Sequence, residues 1–148
     1  GMVFAFTSAL TKFATMLQHS KLKLFTAFLV VPFLIFATVV DDLDSIASAI
    51  KAGDSKVLAT YFDNTVEVKI GNKEGAYSKS QAEAIVKDFF TKNKPKSFSF
   101  KHNGPSGGNN AHYAIGSLVT DKGNFRTYVY LKKKDDKFYI QELSFENE

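Results

Sequence analysis

The hydrophobic pattern changes period once, at Lys96, and that change restricts the fold more than any other feature. Upstream, Leu43, Ile46, Ala47 and Ile50 recur at helical spacing, and Ala82, Ile85, Val86, Phe89 and Phe90 make one wide apolar helix face. Downstream, Phe98, Phe100 and His102 alternate with Ser97, Ser99 and Lys101, the period of a strand. Strands are then expected at 111–120, 124–133 and 137–145, joined by Asp121-Lys122-Gly123 and by Asp135-Asp136. Helices first and a meander after them predict an α+β domain, with helices on one face of a curved sheet.

Local signals fill in the elements. Residues 41–62 read as two short helices, the first with Asp41, Asp42 and Asp44 at its positive end and Gly53 as its stop. Asp54 or Ser55 caps the second, which carries Val57, Leu58, Tyr61 and Phe62. Val66, Val68 and Ile70 form a half-buried strand that ends in a turn over Gly71–Gly75. Ser78-Lys79-Ser80-Gln81 matches a capping box, so a longer helix starts there and ends before Pro95. The segment Asn103–Asn110 reads as a turn, and a slip in alternation between Ile140 and Leu143 predicts a bulge near Gln141-Glu142.

Charge separates the chain into 1–40 and 41–148. Lys12, Lys21 and Lys23 lie in the first part with no acid, and supply three of the formal excess of four. The remainder is nearly balanced, and its dense run Lys132-Lys133-Lys134 is followed at once by Asp135-Asp136, a solvated hairpin turn rather than a phosphate site. Nucleic acid is therefore not an expected partner. Leu24–Val40 is uncharged, preceded by Lys21 and Lys23 and followed by Asp41-Asp42, the pattern of an export signal. Its 17 residues also suffice for a membrane anchor, although Pro32 would kink such a helix. Any membrane contact is expected through residues 1–40 alone, where Phe6, Leu10, Phe13 and Leu17 also form an amphipathic stripe. Translation can start at Met2 or at Met16, and Gly1 reads as a scar of tag removal. The absence of cysteine excludes disulfides, thiolate-bound zinc and a thiol nucleophile.

The segments "IASAIKAGDSKVLATYFDNTVEVKI", "YSKSQAEAIVKDFF", "HYAIGSLVTDKGNFRTYVYL" and "FYIQELSFE" together resemble the nuclear transport factor 2-like, or cystatin-like, superfamily over about residues 41–146. They are most similar to small exported bacterial domains of unknown function. The resemblance implies a cone-shaped curved antiparallel sheet packed on a long helix, with two short N-terminal helices and a ligand entering the open end. It also implies a homodimer through the outer sheet face, which Tyr128, Tyr130 and Tyr139 can furnish. Fold alone does not choose among the enzymes and binding modules that share this architecture.

Proton-abstracting relatives need a carboxylate base beside an oxyanion donor inside the cone. His102 shares parity with Phe98 and Phe100 and is expected to point inward; His112 shares parity with Ala114 and Leu118. Glu142, beside the expected bulge, is the one acid that a bulge can turn inward. Asp63 reads as a capping or turn residue, Glu67 as lying on the polar face of its strand, Arg126 as paired or solvated on the outer sheet face, and two histidines without a supporting carboxylate do not make a metal site. No phosphate loop, nucleophile elbow or dinucleotide fingerprint occurs. The expected pocket residues are Tyr77, Phe89, Phe100, His102, Tyr113 and Glu142, with no cofactor and no metal. Because the inward positions are almost wholly apolar, the leading expectation is an exported, non-catalytic module for a small apolar ligand or a partner. A cone-pocket acid–base enzyme using His102, Glu142 or Tyr113, and a membrane-tethered dimeric scaffold, are the alternatives.

Overall fold

The computed structural model describes residues 39–108 and 110–148. The start sites, the amphipathic stripe and the apolar run up to Thr38 lie outside the described residues. Helix α1 (Val39–Ala52) begins two residues earlier than expected, with Val39 and Val40 ahead of Asp41 and Asp42 in its first turn. Gly53, at φ +66°, ends it. The Asp54 carboxylate then accepts the Val57 amide at 3.0 Å and caps α2 (Ser55–Ala59). This helix is shorter than the periodicity suggests, because Val57 faces solvent and Phe62 already belongs to strand β1 (Phe62–Ile70).

Strand β2 (Lys73–Ser78) replaces the expected five-residue turn. Gly71 takes φ +58°, so Gly71-Asn72 suffices as a two-residue hairpin loop, and β2 pairs with β1 without a slip from Ile70↔Lys73 to Thr65↔Ser78. The capping box is present. Ser78 Oγ accepts the Gln81 amide at 3.4 Å, and Gln81 Oε1 accepts the Ser78 amide at 3.1 Å, starting α3 (Lys79–Lys92). At 14 residues α3 is no longer than α1, which corrects the expectation of one long helix after two short ones.

The meander follows as β3 (Pro95–Pro105), β4 (Ala111–Thr120), β5 (Gly123–Lys134) and β6 (Lys137–Asn147). The six strands lie in the order β2-β1-β6-β5-β4-β3. The sheet is mixed rather than antiparallel, since β1 and β6 run parallel. These are the first and last strands, with no hairpin between them to impose opposite directions. Strand β3 continues past Asn103, pairing Asn103 with Ala114 and Gly104 with Tyr113, so the expected eight-residue turn is shorter.

Bulges set the faces. Leu131 opposes Ile140 and Tyr130 opposes Glu142, leaving Gln141 as the extra residue where the alternation slips. Ile140 and Leu143 thereby both reach the interior, fully buried. The inner sheet face and the helices enclose a core in which Phe89 stacks on Phe145 at 4.5 Å and meets Phe125 edge-on at 5.0 Å. Thr127 Oγ1 is buried in this interior without a hydrogen-bond partner.

Asp63 is 8% exposed and ties β1 to the β5–β6 hairpin. Its Oδ2 accepts from Lys134 Nζ at 2.6 Å and from Gln141 Nε2 at 3.0 Å, and its Oδ1 accepts the Asn64 amide at 2.8 Å. Burial pushes this carboxyl upward, but the three hydrogen bonds and the Lys134 charge outweigh burial and hold it below its ordinary value. A depressed carboxyl contributes stability that is complete above the unfolded-chain pKa and is lost as pH falls through the folded one. Because Lys134 is half exposed, Asp63→Ala is expected to cost only about 1–2 kcal/mol at pH 7. That cost should shrink below about pH 4. Urea titrations of both proteins at pH 7 and pH 3 check this, and an equal difference at the two pH values would remove the charge from the account.

Candidate functional site

Helix α3 and the β1–β2 hairpin diverge from the corner at Ser78, and between them lies a groove of about 690 Å³. Its sheet side is Val68 and Ile70 of β1, Asn72 of the turn, and Lys73 and Tyr77 of β2. Its helix side is Ala84, Ile85, Asp88, Phe89 and Lys92, one stripe of α3 at i, i+1, i+4, i+5 and i+8, with Asn93 at the end. Capping explains why the stripe faces this way, because α3 starts directly where β2 stops. The wall is hydrocarbon at depth and polar at the rim. Val68 and Phe89 are buried, Ile70, Tyr77 and Ile85 half-buried, and Asn72, Lys73, Asp88 and Lys92 exposed.

Two details shape the groove. Gly75 stands between Lys73 and Tyr77 on the inner face of β2, and a Cβ there would lie 2.9 Å from Tyr77 Oη. The Tyr77 ring therefore lies back along its own strand over the glycine instead of closing on α3. At the other end, the Asn93 backbone and side-chain N–H groups both donate to the Phe89 carbonyl, at 2.8 and 3.0 Å. Lys92 Nζ pairs with Asp88 Oδ2 at 2.9 Å.

Of the expected pocket residues, Tyr77 and Phe89 meet in this groove. Phe100 does not line it; it borders the core, edge-on to Phe98 at 4.9 Å. The other three lie elsewhere. His102 is exposed on the outer sheet face, because Phe100 pairs with Gly116 and His102 with Ile115, which makes Lys101 a bulge that reverses parity. Tyr113 is on the outer face as well, its ring 3.4 Å from where a Gly104 Cβ would be. Glu142 also faces outward, since Leu143 beside it is the core residue. Burial, then the charges of Glu67 and Glu74, raise Glu142, while Lys69 opposes them.

These placements bear on acid–base chemistry. Glu142 on β6, Tyr113 on β4 and His102 on β3 are two and three strands apart, roughly 10 and 14 Å at the usual strand spacing. The Glu142 carboxylate is therefore out of hydrogen-bond reach of both, while Tyr113 and His102 stand diagonally on adjacent strands of the outer face, Tyr113 opposite Gly104 and His102 opposite Ile115. His112 stands on the inner face, where its Nε2 donates to Asn103 Oδ1 at 3.0 Å and burial lowers its pKa. The two histidines thus occupy opposite faces, and among the described residues no three metal-ligating side chains gather. No described helix is long and apolar enough to cross a membrane. Tyr128, Tyr130 and Tyr139 are half-buried on the outer face, Tyr130 in the row of Glu142 and Glu67, Tyr128 in the row of Ser144 and Lys69, and Tyr139 opposite Lys132.

The sequence reads Val68 and Ile70 as part of a half-buried strand and Ile85 as part of an apolar helix face, without showing the groove they form with Tyr77. The signal was the pair Gly71-Asn72 directly after an alternating strand, which marks a hairpin and therefore a second strand facing the helix.

A curved six-stranded sheet with helices on one face is the nuclear transport factor 2-like, cystatin-like architecture. A designed NTF2 protein superposes with a TM-score of 0.57 at 14% identity, covering 72% of this chain and 95% of its own. A cystatin-like domain of unknown function from Nostoc punctiforme gives 0.56 at 10% identity, over 71% and 72% of the two chains. Within that class, residues 43–146 match the family described as DUF4783, a domain of unknown function, and the chain belongs to it. The crystal structure of a DUF4783 family protein from Bacteroides uniformis is 30% identical, with a TM-score of 0.68 over 71% of this chain and 95% of that one. No curated protein matches.

Proposed function

We propose that this domain is a non-catalytic binding module, and that the groove between α3 and the β1–β2 hairpin receives an apolar group. The observation that carries this reading is the contrast between two hydrocarbon regions. The space under the curved sheet, where relatives of conical shape keep a ligand, is filled here by Phe89, Phe145, Phe125 and Leu118. The groove beside it is open, within the size range of small-molecule sites, and lined at depth by Val68, Ile70, Ile85 and Phe89.

N-phenyl-1-naphthylamine, a neutral fluorophore, is expected to bind at one saturable site. Ile85→Glu, which sets a carboxylate into the apolar wall, should weaken it about tenfold or more. Ile115→Glu on the outer face is the control, and Tyr77→Ala is a second groove variant should Ile85→Glu melt early. Wild-type dye affinity in both groove variants, with the fold intact by circular dichroism, would remove the reading.

We further infer export, from Lys21 and Lys23 ahead of the uncharged Leu24–Val40. Protein from the periplasm or medium of its native host should then have a mass that starts near Thr38 to Asp41. A membrane-bound species that keeps Leu24–Val40 would make the segment an anchor instead.

A further inference from the structure

We propose that the groove selects an anionic single-chain amphiphile, its hydrocarbon on Val68, Ile70, Ile85 and Phe89 and its anionic head at Lys73; this rests on the groove reading above. The charge inventory of the walls is short. Lys92 and Asp88 satisfy each other at 2.9 Å. The Lys73 ammonium makes no ion pair or hydrogen bond among the described residues. One cation is therefore left over beside an apolar trough, and a ligand with one negative charge complements it.

Position supports the same assignment. Lys73, Gly75 and Tyr77 succeed one another on the inner face of β2, opposite Ile70, Val68 and Val66. Lys73 stands at the hairpin mouth and Tyr77 at the closed end, where the chain turns into α3. Four residues of strand span about 13 Å, the length of an extended chain of about ten carbons. The missing side chain at Gly75 leaves room for the Tyr77 ring, which packs over the glycine as part of the β2 wall. One effect opposes an anion here, because the negative end of the α3 dipole lies at the same mouth. It is blunted by Lys92 in the last turn and by Asn93, whose two N–H groups cover the Phe89 carbonyl.

Displacement of N-phenyl-1-naphthylamine by decanoate, decan-1-ol and decyltrimethylammonium at low ionic strength tests this. Decanoate is expected to bind about three- to fivefold more tightly than the alcohol, as suits a solvent-exposed ion pair. Lys73→Glu should abolish or reverse that preference, and Lys73→Arg should retain it. Equal displacement by all three compounds, or an unaltered preference in Lys73→Glu, overturns the anion assignment and leaves the groove standing. Strongest displacement by the ammonium would make Asp88 the head-group partner and overturn it too. If the dye itself does not bind, the groove reading fails, and this inference fails with it.

Discussion

Phe145→Ala is expected to lower the unfolding free energy by about 3–5 kcal/mol, the usual range for removing a fully buried phenylalanine. Phe145 has no exposed surface and holds the centre of the aromatic cluster, stacked on Phe89 at 4.5 Å and edge-on to Phe90 at 5.8 Å. It hangs from β6 between Ile70 of β1 and Thr127 of β5, so neither neighbouring strand can close the gap without breaking its own register. The cavity left behind would be lined mainly by hydrocarbon, with Thr127 beside it, and a small aromatic such as benzene is expected to bind it and recover part of the loss. Phe89 is the coupling element. One side of its ring supports Phe145 and the other lines the groove, so groove affinity for the dye should fall as well. Urea unfolding with and without benzene, beside dye titration, measures all three effects. A stability loss under about 1 kcal/mol would mean that the interior is not close-packed. The space under the sheet would then return as the better binding site.

What was legible in the sequence depended on whether neighbouring residues decided it. The capping box at Ser78, the stop at Gly53 and the turn at Asp135-Asp136 are local, and each stands where the residues place it. The Gln141 bulge was readable because Ile140 and Leu143 are both apolar and out of phase. Lys101 forms a bulge as well, yet it sits in an unbroken alternation of Ser, Phe, Lys and His, so nothing local distinguishes it from an ordinary outward residue. That single extra residue is why His102 was assigned to the wrong face. The parallel pairing of β1 with β6 joins residues 75 or more positions apart and follows from tertiary closure alone. The candidate site divides along the same line. Tyr77 and Phe89 were identifiable as large residues flanking a helix start and a helix face. Their meeting depends on β2, whose polar residues Lys73, Glu74 and Ser78 hide it as a strand.

Gly116→Val sets local propensity against packing, and the two predict opposite signs. Glycine in a strand interior is entropically unfavourable and valine is among the best strand formers, so propensity alone predicts a gain of roughly 1 kcal/mol. The structure predicts a loss. Gly116 lies on the inner face of β4, paired with Phe100 on β3 and Thr127 on β5. A Cβ at this position would sit 2.5 Å from the Ser99 carbonyl oxygen and 2.8 Å from the Phe98 ring. The ring can rotate away, but the carbonyl belongs to the neighbouring strand, and moving it means prising β3 from β4 just before the Lys101 bulge. Overpacking of this kind costs about 1–3 kcal/mol, occasionally more, and with backbone as the obstacle a net loss of about 2–3 kcal/mol is expected. Because β3 is an edge strand, the displacement should stay local. Amide exchange should accelerate in β3 and β4 while β1 and β6 keep their protection. A variant as stable as wild type, or more so, would show that β3 yields freely at Ser99 and that strand propensity outweighs the close approach.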